Sequence, residues 1–149
     1  MEALLDDFRQ KQYRFQYECD CEEKITHLFF ARPIAIDLLH QYPYALLMDC
    51  NYRTNRVGMP LLHVISLTSV YTSFSVCIIF LRNEDFKSYK WAQERVAELY
   101  HPTEHHAALL ATHPITIATD CDDGLLAAID SVFPPSKNLI CQLPPAFYC

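Results

Sequence analysis

Residues 44–81 read YALLMDCNYRTNRVGMPLLHVISLTSVYTSFSVCIIFL and decide the fold. The stretch holds three runs rich in β-forming residues, at 44–52, 60–68 and 74–81, and each run predicts a strand. Runs that are apolar on both faces are typical of central strands covered by helices. The links between the runs are short, which favours antiparallel neighbours.

The sequence that follows alternates between helix and strand. Residues 83–100 have a helical period, with Asn83 as a candidate N-cap and acidic residues in the first turn. A β-branched strand is predicted at 114–119, a helix at 124–133 and a last strand at 138–143. Crossovers through helices require parallel strands. We therefore predict an α/β fold with a mixed sheet.

The sequence before residue 44 predicts three smaller elements. Residues 2–12 are typical of a short polar helix, and a β-hairpin is predicted over 13–30, since Tyr13 to Cys19 alternate with a period of two. Pro33 then opens a short helix over 34–41.

The composition restricts the class of protein. The chain has 149 residues, 51% of them hydrophobic, which predicts one folded domain and excludes a disordered tail. It has 12 basic and 18 acidic residues, and a net charge of −6 argues against a free-standing nucleic-acid binder. Two glycines are too few for a glycine-rich phosphate loop.

The cysteines and apolar runs indicate a soluble intracellular protein. The seven cysteines are odd in number and form no C-x-x-C pair, which favours free thiols in a reducing compartment. The first twelve residues are charged and do not resemble a signal peptide. Every apolar run is shorter than the ~18 residues that a membrane span needs.

Two aspartates are the strongest candidates for chemistry. Asp49 and Asp120 each close an apolar strand, where an acid is costly unless it is paired or binds a metal. If their strands are neighbours, the pair could hold Mg²⁺ or Mn²⁺ for phosphoryl transfer. Both could instead be caps or turn residues. Asp122 or Asp123 could cap the next helix or replace Asp120 as the ligand.

Other candidate sites are weaker. His101 and His105 have the i, i+4 spacing of a zinc pair, with His106 and His113 nearby, but Pro102 lies inside the pair and favours a surface loop. Cys19 and Cys21 are interpreted as alternating residues on a strand, and Trp91 as core. The sequence has no G-x-S-x-G motif and no cysteine with an adjacent histidine, so it lacks a local nucleophile motif.

Several motifs of the chain follow one another in a characteristic order. Asp49 and Tyr52 precede T-N and M-P-L (54–55 and 59–61), F-K-S-Y-K-W-A follows at 86–92, and I-T-I-A-T-D-C-D-D-G-L-L-A-A-I-D-S-V-F-P at 115–134. In this order they resemble the Mutator-like element (MULE) transposase domain. Residues 25–42 are similar to the corresponding region of fungal-type members. The resemblance divides the chain into an arm (1–43), a transposase core (44–143) and a divergent tail (144–149).

The resemblance implies a ribonuclease H-like fold and the chemistry of acidic-triad transposases. Asp49 and Asp120 match the first two family aspartates and would be catalytic metal ligands for Mg²⁺ or Mn²⁺. The implied partner is DNA at transposon ends, without a small-molecule substrate or a membrane. A nuclear location and a homo-oligomer are also implied.

The chain departs from the family pattern in ways that lower the expected activity. The family's third carboxylate, a glutamate on a later helix, has no counterpart, and Pro144 stands at a family histidine position. We expect a truncated member that is inactive alone and that self-associates through exposed apolar surface. The alternatives are a domesticated, non-catalytic binding or regulatory protein and an unrelated small α/β domain.

Overall fold

The computed structural model describes residues 2–51, 55, 57–101, 111–120 and 122–140. Over these residues the chain forms four helices and seven strands. The helices are α1 (Glu2–Gln10), α2 (Pro33–Gln41), α3 (Phe86–Glu98) and α4 (Asp123–Val132). The strands are β1 (Arg14–Cys19), β2 (Ile25–Ala31), β3 (Ala45–Asn51), β4 (Leu61–Leu67), β5 (Ser73–Phe80), β6 (Thr116–Thr119) and β7 (Lys137–Ile140).

All seven strands join one mixed sheet in the order β1-β2-β5-β4-β3-β6-β7. Strands β1, β2, β5, β4 and β3 pair antiparallel, whereas β3–β6 and β6–β7 are parallel. The predicted mixed α/β fold is confirmed, and the element ends differ from the predicted ends by a few residues. The hairpin of β1 and β2 extends the same sheet beyond β5.

The main hydrophobic core lies on one face of the sheet, which we call the helix face. Helices α2, α3 and α4 bury apolar residues there against alternate strand residues such as Met48, Val64 and Ile117. The amphipathic spacing of α3 places Tyr89, Ala92 and Val96 in this core. Burial of such side chains stabilises the fold by roughly 1.5–3 kcal/mol each relative to exposure.

The opposite face, which we call the open face, is covered only in part by the described helices. Helix α1 packs Leu5 and Phe8 beside Leu28, Phe15 and Phe30 at the β1–β2–β5 end. Toward the other edge, Leu47, Leu67 and Leu139 keep 42%, 46% and 46% of their surface exposed. The described helices therefore leave apolar side chains exposed toward this edge, which is the kind of surface that we expect of a truncated member.

Two local predictions are also corrected. The N-cap of α3 is Asp85, whose Oδ1 accepts a hydrogen bond of 2.8 Å from the Ser88 amide, and not Asn83. Asp85 is the residue just before the helix, where its carboxylate reaches a free amide of the first turn. Cys21 lies in the turn after β1, because Asp20 accepts hydrogen bonds from the Glu22 and Lys24 amides and ends the strand.

None of the described helices is long and apolar enough to cross a membrane.

Candidate functional site

The fold brings Asp49 and Asp120 to the same edge of the sheet. Strands β3 and β6 are parallel neighbours, and their last paired residues are Met48 and Thr119, both buried on the helix face. Asp49 is the next residue of β3, where the alternation places it on the open face, and Asp120 directly follows the end of β6 and interacts electrostatically with Asp49. Neighbouring strands lie ~4.8 Å apart, so the two carboxylates stand side by side at the carboxyl ends of their strands.

Within the described part of the chain, the hydrogen bonds to the two carboxylates come from neutral side chains. Partial burial raises the pKa of Asp120, and the negative charges of Asp122 and Asp49 raise it further, whereas the Thr119 hydroxyl lowers it. That hydroxyl donates to Asp120 Oδ1 at 3.2 Å. The Asn51 amide donates to Asp49 Oδ2 at 2.7 Å. Each carboxylate is thus oriented by a neutral donor, while their mutual repulsion favours a bound cation.

The two carboxylates are suited to an open site for a hard divalent cation, and not to a metal site that is fully enclosed by protein ligands. Among the described residues no group of three or more His, Cys, Asp or Glu could hold a metal ion. Mg²⁺ needs no such cage, because it is commonly bound by one or two carboxylates, waters and substrate phosphates. Asp122 is the N-cap of α4, where it accepts from the Leu125 amide at 2.8 Å, and Asp123 is exposed in the first turn.

The model of the MULE transposase domain matches residues 45–143, which is more than half of the chain and includes both aspartates. The chain belongs to the MULE transposase domain family. The family resemblance that the sequence motifs carried is therefore confirmed.

The chain is similar to segments of two much longer proteins. The chain is 31% identical over 137 residues to the PKS-NRPS hybrid synthetase cheA of Chaetomium globosum, covering 92% of this chain and 3% of that protein. It is 25% identical over 147 residues to Protein FAR1-RELATED SEQUENCE 5 of Arabidopsis thaliana, covering 95% and 18%. The chain spans a small part of both relatives, and the similarity extends into its first 44 residues.

His63 is a residue of the transposase domain that the sequence pattern did not single out. It lies directly opposite Asp49 in the antiparallel β3–β4 pair and therefore shares the open face. Its Nε2 lies 2.8 Å from the Ser75 hydroxyl on β5. The alternation of β4 predicts the face of His63, but only the strand register places it beside Asp49.

A second group lies on the helix face behind the acidic pair. The Cys50 thiol donates to Glu84 at 3.4 Å and accepts from the Tyr89 hydroxyl at 3.6 Å. Burial raises the pKa of Cys50 to about 12, so this cysteine is a protonated thiol and not a nucleophile. Glu84 precedes α3 and reaches the carboxyl end of β3, a placement that the linear sequence did not reveal.

The remaining sequence candidates are the histidines near residue 105, the other cysteines and Trp91. His105 and His106 lie outside the described residues, so the zinc interpretation is not tested there. Cys19, Cys21, Cys50 and Cys77 are free thiols. Trp91 is partly buried against the main core, and its ring lies 5.5 Å from the Arg95 guanidinium.

Proposed function

We propose that this chain is the acidic part of a Mutator-like DNA transposase catalytic domain, in which Asp49 and Asp120 bind Mg²⁺ or Mn²⁺. The observation that carries the proposal is the side-by-side placement of the two carboxylates at the ends of β3 and β6. The strand order β5-β4-β3-β6-β7, with three antiparallel strands followed by two parallel ones, supports a ribonuclease H-like fold. A transposase of this kind acts in the nucleus, on transposon-end DNA.

The chain's own residues would prepare the site for a phosphodiester. Asp49 and Asp120 offer carboxylate oxygens, oriented by Asn51 and Thr119, at the carboxyl ends of β3 and β6. A divalent cation bound there would neutralise phosphate charge and activate an attacking oxygen. Transposition would then consist of strand cleavage followed by attack of the freed 3′-hydroxyl on target DNA.

We further propose that these 149 residues do not cleave DNA by themselves. Two carboxylates leave the coordination of a two-metal site incomplete, and the family's glutamate has no counterpart in this sequence. A glutamate from a longer protein or from another subunit of a homo-oligomer would complete the site.

The second candidate function is non-catalytic binding of DNA or protein by a domesticated transposase domain. The sequence supplies only two of the three carboxylates of the family pattern, which favours this alternative. The two functions differ in one measurable property, because only the first requires the acidic pair to bind a divalent cation.

Titration with Mn²⁺, followed by electron paramagnetic resonance of the free ion, tests the acidic pair. We expect the chain to bind Mn²⁺, and Asp49→Asn and Asp120→Asn each to weaken binding at least tenfold. Asp123→Asn removes an equal charge from an exposed position close by and should change binding less than twofold. Equal losses in all three variants, or no binding by the unmodified chain, would contradict the metal site and favour the second function.

A nuclease assay tests whether the chain is sufficient. We expect no nicking of plasmid or transposon-end DNA in Mg²⁺ or Mn²⁺. Nicking that is abolished by Asp49→Ala would show that the two carboxylates suffice and would overturn the proposed inactivity.

A further inference from the structure

A cavity of about 390 Å³ opens on the open face of the sheet. Its wall includes Tyr13 and Phe30 at the α1 end, His63 and Ser75 in the middle of the sheet, and Arg32 just after β2. The volume lies within the range of small-molecule sites, which is ~300–1,000 Å³. The cavity can therefore accommodate a group larger than a side chain.

The strand register connects this cavity to the acidic pair. Asp49 lies opposite His63, His63 opposite Ile78, and Ile78 opposite Phe30, so these residues form one row across the open face. Directly opposed side chains in antiparallel strands have Cβ atoms ~5 Å apart. A molecule with one group at Asp49 can therefore place its adjoining group in the cavity.

The chemistry of the wall suits an anion with an aromatic part. The Arg32 side chain is exposed and makes no hydrogen bond or ion pair with any residue that the structure describes. Tyr13 stacks on Phe8, with ring centroids 5.4 Å apart, and both Tyr13 and Phe30 line the cavity. None of the described residues that line the cavity is acidic, although the chain as a whole has a charge of −6.

We propose that this cavity binds one unstacked nucleotide of a DNA strand that continues to the acidic pair. The base would lie against Tyr13 and Phe30, a phosphate would pair with Arg32, and a phosphate further along the same strand would reach Asp49 and Asp120. His63 and Ser75 offer hydrogen-bonding groups between these two positions. The inference rests on the proposed function, because it takes DNA as the molecule held by the acidic pair.

Binding of a fluorescein-labelled 12-nucleotide thymidine oligomer, measured by anisotropy at low salt in EDTA, tests this site without metal or catalysis. We expect Arg32→Gln and Tyr13→Leu each to weaken binding at least fivefold. Lys87→Gln removes an equal charge from α3, on the helix face, and should weaken binding less than twofold. Urea unfolding of each variant checks that the fold is retained.

The salt dependence identifies the role of Arg32. A lost phosphate contact lowers the slope of log affinity against log salt by about 0.7 for a single strand. We expect this change in Arg32→Gln and not in Lys87→Gln. A duplex of the same length should bind more weakly than the single strand, because its bases are stacked. Equal losses in the Arg32 and Lys87 variants, or a preference for the duplex, would overturn the proposal.

Photocrosslinking locates the base. An oligomer that carries one 4-thiothymidine should crosslink to Tyr13, Phe30 or His63, and a crosslink only at other residues would overturn the site. Failure of the Mn²⁺ titration with retained, cavity-dependent oligomer binding would reject the metal site alone. Mn²⁺ binding without any oligomer binding would reject the cavity proposal alone.

Discussion

At the scale of single residues, Gln93 is a polar side chain fully buried on the core-facing side of α3. Its amide donates to the Met48 sulfur at 3.3 Å, while its Oε1 has no hydrogen-bond partner among the described residues. An unsatisfied buried oxygen costs roughly 1–3 kcal/mol. No contact among the described residues therefore explains why this core position holds a polar side chain.

Replacing Gln93 by methionine should stabilise the protein. The two side chains have similar volume, so the substitution removes the unsatisfied oxygen without leaving a cavity. We expect Gln93→Met to raise the free energy of unfolding by about 1 kcal/mol in urea titrations. Gln93→Ala should lower it by about 1 kcal/mol or more, because it leaves a cavity. A Met variant that is less stable than the unmodified chain would contradict this explanation.

At the scale of elements, the link between β4 and β5 contains a strained tyrosine. Tyr71 has a φ of 59°, keeps 88% of its surface exposed, and donates its amide to the Thr68 carbonyl at 3.0 Å. The left-handed region disfavours a residue with a Cβ by roughly 1–2 kcal/mol. The turn closes a hairpin in the centre of the sheet, so relief of this strain should stabilise the whole fold.

We expect Tyr71→Gly to raise the free energy of unfolding by about 0.5–1 kcal/mol, because glycine adopts positive φ without strain. Val70→Gly is the matched control, since Val70 is also exposed but is not among the described residues with positive φ. That variant should lose about 0.5–1 kcal/mol through the greater freedom of the unfolded chain. Chemical denaturation measures the free energy of unfolding of both variants. A change of the same sign in the two variants would contradict the proposed strain at Tyr71.

The contact between β2 and α3 should depend on pH through His27. Burial lowers the pKa of His27, and the positive charge of Arg82 lowers it further. The negative charges of Glu18 and Asp85 oppose this shift but do not cancel it. The unfolded chain therefore binds the proton more readily, and the stability from neutral His27 is complete above pH ~6.5 and is lost as pH falls toward the folded pKa. We expect His27→Gln to show a smaller loss of unfolding free energy between pH 7.5 and 5.5 than the unmodified chain. The exposed His101→Gln should keep the original loss.

At the scale of the whole molecule, the open face contains Asp49 of the acidic pair and also an apolar surface. Leu47, Ile65, Leu67 and Leu139 line a cavity of about 370 Å³ toward the β7 edge. Among the described strands β7 lies at the edge of the sheet, so we expect its backbone groups and this surface to be able to contact a second molecule.

We expect self-association that increases with concentration in sedimentation velocity experiments. Leu139→Lys should shift the chain toward the monomer, because a charge on an edge strand opposes pairing. Ile34→Lys changes an exposed residue of α2, away from this face, and should have no such effect. A single monomeric species at all concentrations would contradict the prediction.

Sequence alone determined the type and order of the elements, because periodicity and chain breaks are local properties of the chain. It also singled out Asp49 and Asp120 as candidates, because each is an acidic residue at the end of an apolar run. It did not determine which individual apolar side chains are exposed, or that Asp85 rather than Asn83 caps α3, because layer packing and cap geometry depend on side chains in three dimensions.

Only the tertiary structure decided which residues meet. The parallel pairing of β3 and β6 brings together two aspartates that are 71 positions apart, and the antiparallel pairing of β3 and β4 places His63 beside them. These neighbours follow from strand register, which is set by side-chain packing on the helix face and by turn geometry. The sequence therefore contained the residues of the acidic site, and the register assembled them into one row.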